Sequence, residues 1–169
     1  MKKQYLILAG TILLVFVGII LTRNQAFATP EQPLSFSHSV HSANSIQCLY
    51  CHSEASRSEI AGIPSLEKCM GCHTFIAKEG EGVQALTAYW DEQVAIPWER
   101  VNRQPDFVYF SHQPHILSGL NCEVCHGDVA SMEAASPVVR MDMGWCLQCH
   151  LEQPEEEHAH LNDCLTCHK

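Results

Sequence analysis

The chain has 169 residues and a mass of 18.9 kDa, enough for one domain and hardly for two. Ten Cys and eleven His stand against ten Lys plus Arg; a reducing cytosol gives so many thiols no structural use, so covalent or metal chemistry must occupy them. From Thr29 onward seven Lys and Arg face nineteen Asp and Glu, a formal net charge of −12 that makes nucleic acid and acidic membrane surfaces poor partners.

The first predicted element is an apolar helix. Lys2 and Lys3 precede the uncharged stretch Tyr5 to Leu21, and Thr22 and Arg23 lead into Ala26-Phe27-Ala28. Two basic residues, an apolar core and Ala-x-Ala form an export signal with its amino end held in the cytoplasm. The apolar stretch exceeds the usual signal core of about 7–15 residues. At roughly 25 Å of helix it falls just short of a bilayer core, a mismatch that snorkelling or local thinning covers. Residues 1–28 therefore read as an export signal or membrane anchor, with retention as the expectation and residues 29–169 on the periplasmic, extracytoplasmic face.

All ten cysteines fall into pairs of one form: Cys48-Leu-Tyr-Cys51-His52, Cys69-Met-Gly-Cys72-His73, Cys122-Glu-Val-Cys125-His126, Cys146-Leu-Gln-Cys149-His150 and Cys164-Leu-Thr-Cys167-His168. Two thiols one turn apart add as thioethers to the two vinyl groups of a haem, and the adjacent imidazole reaches the iron. Zinc ribbons, thioredoxin-like redox sites and iron–sulfur sites also use Cys-x-x-Cys, but none requires a His after every pair. A disulfide framework would leave the five His unexplained. At the His content of this chain, five such coincidences have a chance probability of about one in a million, so the motifs read as five covalently attached c-type haems. His52, His73, His126, His150 and His168 are the expected proximal ligands.

Six His remain: His38, His41, His112, His115, His158 and His160. Phe36-Ser37-His38-Ser39-Val40-His41, six residues before Cys48, recurs as Phe110-Ser111-His112-Gln113-Pro114-His115, six residues before Cys122, offset by 74 at every matched position. Each copy carries a second haem motif further on. The chain thus reads as a duplicated two-haem module, 34–73 and 110–150, with a linker 74–109 and a fifth haem in 151–169. Two spare His per module match two haems per module. His38, His41, His112 and His115 are the expected distal ligands. The fifth comes from His158 or His160, behind the acidic run Glu155-Glu156-Glu157; Met141 or Met143 would instead give one haem a thioether and raise its potential. So complete a supply of imidazoles argues against an open, catalytic iron.

The linker has no Cys or His. Residues 82–93 have the apolar spacing of a short helix, with Val83, Leu86, Tyr89 and Trp90 on one side, while residues 96–101 and 104–110 read as extended chain around Pro97 and Pro105. The linker aromatics pack on porphyrin faces or form a docking surface. Arg100, Arg103 and Arg140 are candidate propionate partners. With roughly 28 residues per haem, side chains cannot build an ordinary core, so the expected fold is mostly α with extensive loops, little or no sheet, and the haems as core.

The Phe-x-His-x-x-His-x6-Cys-x-x-Cys-His unit resembles the class III multihaem cytochromes. That resemblance implies that the first His of each pair binds the haem that follows it, His38 for the Cys48/Cys51 haem and His112 for the Cys122/Cys125 haem, while His41 and His115 serve haems from other motifs. Ile63-Pro64-Ser65 before Cys69, Ile96-Pro97-Trp98-Glu99-Arg100-Val101, Pro105-Asp106-Phe107-Val108-Tyr109-Phe110-Ser111-His112 and Met143-Gly144-Trp145-Cys146 are similar to the pentahaem cytochrome subunit of bacterial alternative complex III. That likeness implies a membrane electron-transfer subunit of a quinol-oxidising complex. Its partners would be an iron–sulfur/molybdopterin-oxidoreductase-like subunit and polytopic quinol-binding subunits, then a monohaem cytochrome, cupredoxin or oxidase downstream. A free periplasmic carrier, if residues 1–28 are removed, and a multihaem reductase, if one iron is open, are the alternatives.

Overall fold

A computed structural model describes residues 2–168, without the side chains of residues 2, 3, 22–26 and 158; the candidate ligand His158 lies outside the described side chains. Helix α1 spans Lys2–Ala26, and all its described side chains are exposed. Within it Gln4–Leu21, of mean hydropathy 2.4, is long and apolar enough to cross a membrane, a test that a signal sequence also passes. The helix continues beyond the apolar stretch because residues 22–26 contain no breaker. Pro30 then disfavours helix at Thr29.

The rest is a set of short helices, and no strand occurs among the described residues, as the expected mostly α fold requires. In chain order they are α2 His38–Ala43, α3 Cys48–Cys51, α4 Leu66–His73, α5 Glu81–Asp91, α6 His112–Leu117, α7 Glu123–His126, α8 Met143–His150, α9 Glu155–Leu161 and α10 Cys164–Cys167. Four of them, α3, α4, α8 and α10, hold whole Cys-x-x-Cys motifs, and α7 holds Cys125 with Cys122 as its N-cap. Two intervening residues put both sulfurs on one turn of helix, which is why the motif fixes the element. Asp142 caps α8 by accepting from the Trp145 amide at 3.0 Å, and Asp163 caps α10 from Leu165 at 3.0 Å. In α6, Pro114 sits in the first turn, where its missing N–H costs nothing.

Polypeptide alone makes almost no core. A compact chain of this mass exposes roughly 8,300 Å²; this one exposes 12,777 Å², to which the bare α1 contributes. Among the described residues the buried apolar side chains are Leu34, Ala55, Met70 and Leu86. Leu34, Met70 and Leu86 form one cluster, against which Phe36, Leu66, Tyr89, Trp90, Ile96 and Trp98 pack. The linker therefore folds back on the first module: α5 forms where its spacing predicts, and Leu86 is its buried residue. Gln32 locks the returning segment of the linker, accepting from the Glu99 amide and donating to its carbonyl at 3.0 Å each. Gly82 permits the approach, since a Cβ there would stand 2.6 Å from the Ser35 carbonyl oxygen.

The two copies of the repeat cross over each other. α2 packs on the 3₁₀ turn Val129–Ser131, which follows the Cys122 motif, and α6 packs on the 3₁₀ turn Ser53–Ser56, which follows the Cys48 motif. The hydrogen bonds at the two contacts involve matched glutamates. The His112 amide donates to the Glu59 carbonyl at 3.1 Å, the Ser39 amide donates to Met132 at 3.0 Å, and the Ser39 hydroxyl donates to the Glu133 carboxylate. Glu59 and Glu133 are themselves 74 residues apart. The duplication has folded as a pseudo-dimer with an isologous interface.

Candidate functional site

Each His-x-x-His helix presents two imidazoles from successive turns, because residues three apart share a helix face. Around them the two repeats agree to a few tenths of an ångström. Phe36 meets His38 edge-on at 4.8 Å and 86° and stacks on His41 at 4.5 Å. Phe110 meets His112 at 4.8 Å and 85° and lies against His115 at 4.7 Å. One phenyl ring thus sets the angle between two imidazoles in each copy. His41 and His115 are fixed further by Nδ1, which bonds the carbonyls of Ser37 at 2.7 Å and Ser111 at 2.8 Å.

These helices bring the spare imidazoles to the motif imidazoles in pairs. His41 and His73 have ring centroids 6.0 Å apart, His112 and His126 6.3 Å, and His115 and His150 6.1 Å. Two metal–nitrogen bonds of about 2.0–2.1 Å plus two ring radii of about 1.1 Å span roughly 6.3 Å, so each pair has room for one iron between its nitrogens. Burial lowers the pKa of His38 first, then the charges of His52 and His41. Among the described residues no three or more of His, Cys, Asp and Glu converge as a closed zinc site would need.

The other ring nitrogen decides the tautomer. Carbonyl oxygens only accept, so an imidazole whose Nδ1 faces one carries its proton there and leaves the Nε2 lone pair free for a metal. His52 Nδ1 meets the Gly62 carbonyl at 2.7 Å, His73 that of Ile76 at 3.4 Å, His150 that of Leu161 at 3.2 Å and His168 that of Phe107 at 3.2 Å. His112 does the same across the module interface, to Glu59 at 2.9 Å. His126 is held by a side chain instead, Asn102, at 3.0 Å. The amide nitrogen of Asn102 faces Nδ1; a 180° turn of the amide puts its oxygen there to accept from Nδ1, which is the orientation that leaves Nε2 free for a metal. His38 Nδ1 is buried without a partner, the point at which the two copies differ most. The donor set fits haem c: thiols paired on one turn, a following imidazole presenting Nε2, and a second imidazole opposite.

The fifth motif is less complete. His168 stacks on Phe107 at 5.7 Å, and no second imidazole is paired with it among the described residues. His160 is exposed and its carbonyl accepts from Thr166 at 2.7 Å. Met143 is largely exposed, Met141 half-buried. Arg100 and Arg103 are exposed, and Arg140 reaches Asp142 at 3.9 Å in an open ion pair. The sequence reading missed Asn102, Glu59 and Phe107, each of which meets an imidazole 24 to 61 residues away.

The family model for class III cytochromes c matches residues 19–96, and that for cytochrome c7 and related cytochromes c matches residues 108–169. The chain belongs to these multihaem c-type cytochromes, an electron-transfer family whose haem is covalently bound. It is 31% identical, over 85% of its own length and 79% of the relative's, to the menaquinone reductase multihaem cytochrome c subunit of Nitratidesulfovibrio vulgaris.

Proposed function

We propose that this chain is an exported, membrane-anchored pentahaem cytochrome that conducts electrons for a quinone-linked membrane complex. The observation that carries the reading is the pairing of imidazoles at 6.0 to 6.3 Å opposite three Cys-x-x-Cys motifs, with their free nitrogens oriented by Nδ1 bonds. Haem c supplies a one-electron couple when bound. Cys48, Cys51, Cys69, Cys72, Cys122, Cys125, Cys146, Cys149, Cys164 and Cys167 attach it. His52, His73, His126, His150 and His168 are proximal, His38, His41, His112 and His115 distal, and His158 or His160 closes the fifth site. Residues 34–73 and 110–150 form the two-haem modules, joined by 74–109, with 151–169 as the fifth unit. Two imidazoles per iron leave no position for substrate, so the chain itself moves electrons and performs no bond chemistry.

The relative's name favours a quinone-linked partner and, as a second reading, delivery of electrons to menaquinone in place of withdrawal from quinol as in alternative complex III. Purification from membranes in mild detergent tests both. The expected result is a complex with an iron–sulfur/molybdopterin-oxidoreductase-like subunit and polytopic quinone-binding subunits, residues 1–28 intact. Reduction of its haems by a menaquinol analogue would give the alternative-complex direction, and oxidation of dithionite-reduced haems by a menaquinone analogue the other. A lone soluble chain beginning at Thr29 would overturn the anchored reading and leave a periplasmic shuttle.

A further inference from the structure

The motifs do not lie in space in the order in which they lie in the chain. The first and third motifs adjoin across the module interface, where the His112 amide donates to the Glu59 carbonyl and the Ser39 amide to that of Met132. The crossing of α2 and α6 requires the same: the helix carrying His38 rests on the turn after the third motif, and the helix carrying His112 rests on the turn after the first. The second motif touches the first from the other side. Lys68 Nζ donates to the Tyr50 carbonyl at 2.9 Å and sits 4.6 Å over its ring, and one cleft is lined by Gln47, Tyr50 and Cys72. By the same repeat, α6 joins the third motif to the fourth, since its His112 faces His126 and its His115 faces His150. The fourth is tied to the fifth where His150 Nδ1 meets Leu161, in the segment leading to Cys164.

The geometry points to a single wire with the spatial order Cys69–Cys72, Cys48–Cys51, Cys122–Cys125, Cys146–Cys149, Cys164–Cys167, in which the first motif of the chain is interior and the second is a terminus. The module interface is then the middle of the conductor, and partners exchange electrons with the chain at its second and fifth motifs. At the second-motif end, Met70 packs on Leu34, in the segment that leaves α1. This rests on the five-haem reading above.

The test is a crystal structure of the exported, haem-loaded full chain, with the irons located by anomalous scattering at the iron edge. The expected result is five irons in which that of His52 has those of His73 and His126 as its neighbours, and that of His168 has that of His150 as its nearest. An iron at His168 nearest to that of His126, a competitor because the Tyr109 amide donates to the Cys167 carbonyl at 2.8 Å just before α6, would overturn the order. So would an iron at His73 nearest to any other than that of His52. Fewer than five irons would overturn the pentahaem reading instead, a failure visible apart from five irons in a different order.

Discussion

At the scale of single residues, the site separates what attaches a haem from what tunes it. Attachment, as proposed, is written locally, in a spacing of two residues and an adjacent His, so it needs no structure to be read. Tuning depends on what meets Nδ1, and those partners arrive from distant segments, so no local pattern announces them. Asn102 is the case most open to experiment, because it is a side chain where the other motif imidazoles bond carbonyls. An accepting group at Nδ1 makes the imidazole a stronger donor and favours the oxidised iron. Asn102→Ala should therefore raise the potential of one haem by about 40 mV, the equivalent of one hydrogen bond of about 1 kcal/mol in a one-electron couple. Asn102→Asp should lower it. Spectroelectrochemical titration of the loaded protein reads both; unchanged potentials in the two variants would remove Asn102 from control of that iron.

At the scale of elements, the sequence repeat marked two matching segments, and both formed helices, α2 and α6. It could not say that each would rest on the other copy, since a sequence repeat carries no information about whether its units pack side by side or exchange contacts. The copies also differ in their caps. Ser37 accepts from the Val40 amide at 3.2 Å, whereas Ser111 makes no such bond. Ser37→Ala should cost about 1 kcal/mol and Ser111→Ala close to nothing, a contrast measurable as a shift in denaturant midpoint. Gly127 is the other difference: it follows His126 at φ +68°, and a Cβ there would come within 2.8 Å of Val138. Gly127→Ala should destabilise the third motif by more than about 1 kcal/mol and raise the high-spin signal of one haem, while Gly71→Ala, with open space at its Cβ, should leave the spectrum unchanged.

At the scale of the whole molecule, the class of fold followed from counting: too few residues per expected porphyrin for a conventional core. The structure agrees: among the described residues four apolar side chains are buried, and three of them, Leu34, Met70 and Leu86, form one small cluster in the first module and linker. That the linker packs there through Trp90 and Trp98 was not readable from its composition, which fits a docking surface equally well. Expression without haem attachment should accordingly yield an expanded chain. Small-angle scattering should give a radius nearer the unfolded value than the compact one, and a compact apoprotein would contradict haem as core. The acidic surface of the exported part should also slow exchange with a basic soluble mediator as salt rises, through screening over about 10 Å at 0.1 M. Salt-independent rates would assign the chain's exchange to partners fixed within its own complex.

The central claim is that all five Cys-x-x-Cys-His motifs carry haem. Intact-mass spectrometry of the natively exported protein, with peptide mapping, tests it most directly. The account predicts a mass increment of five haems, with the peptides containing Cys48, Cys69, Cys122, Cys146 and Cys164 each carrying one through two thioethers. A motif peptide recovered with free thiols, or a protein that binds zinc in place of haem, would contradict it.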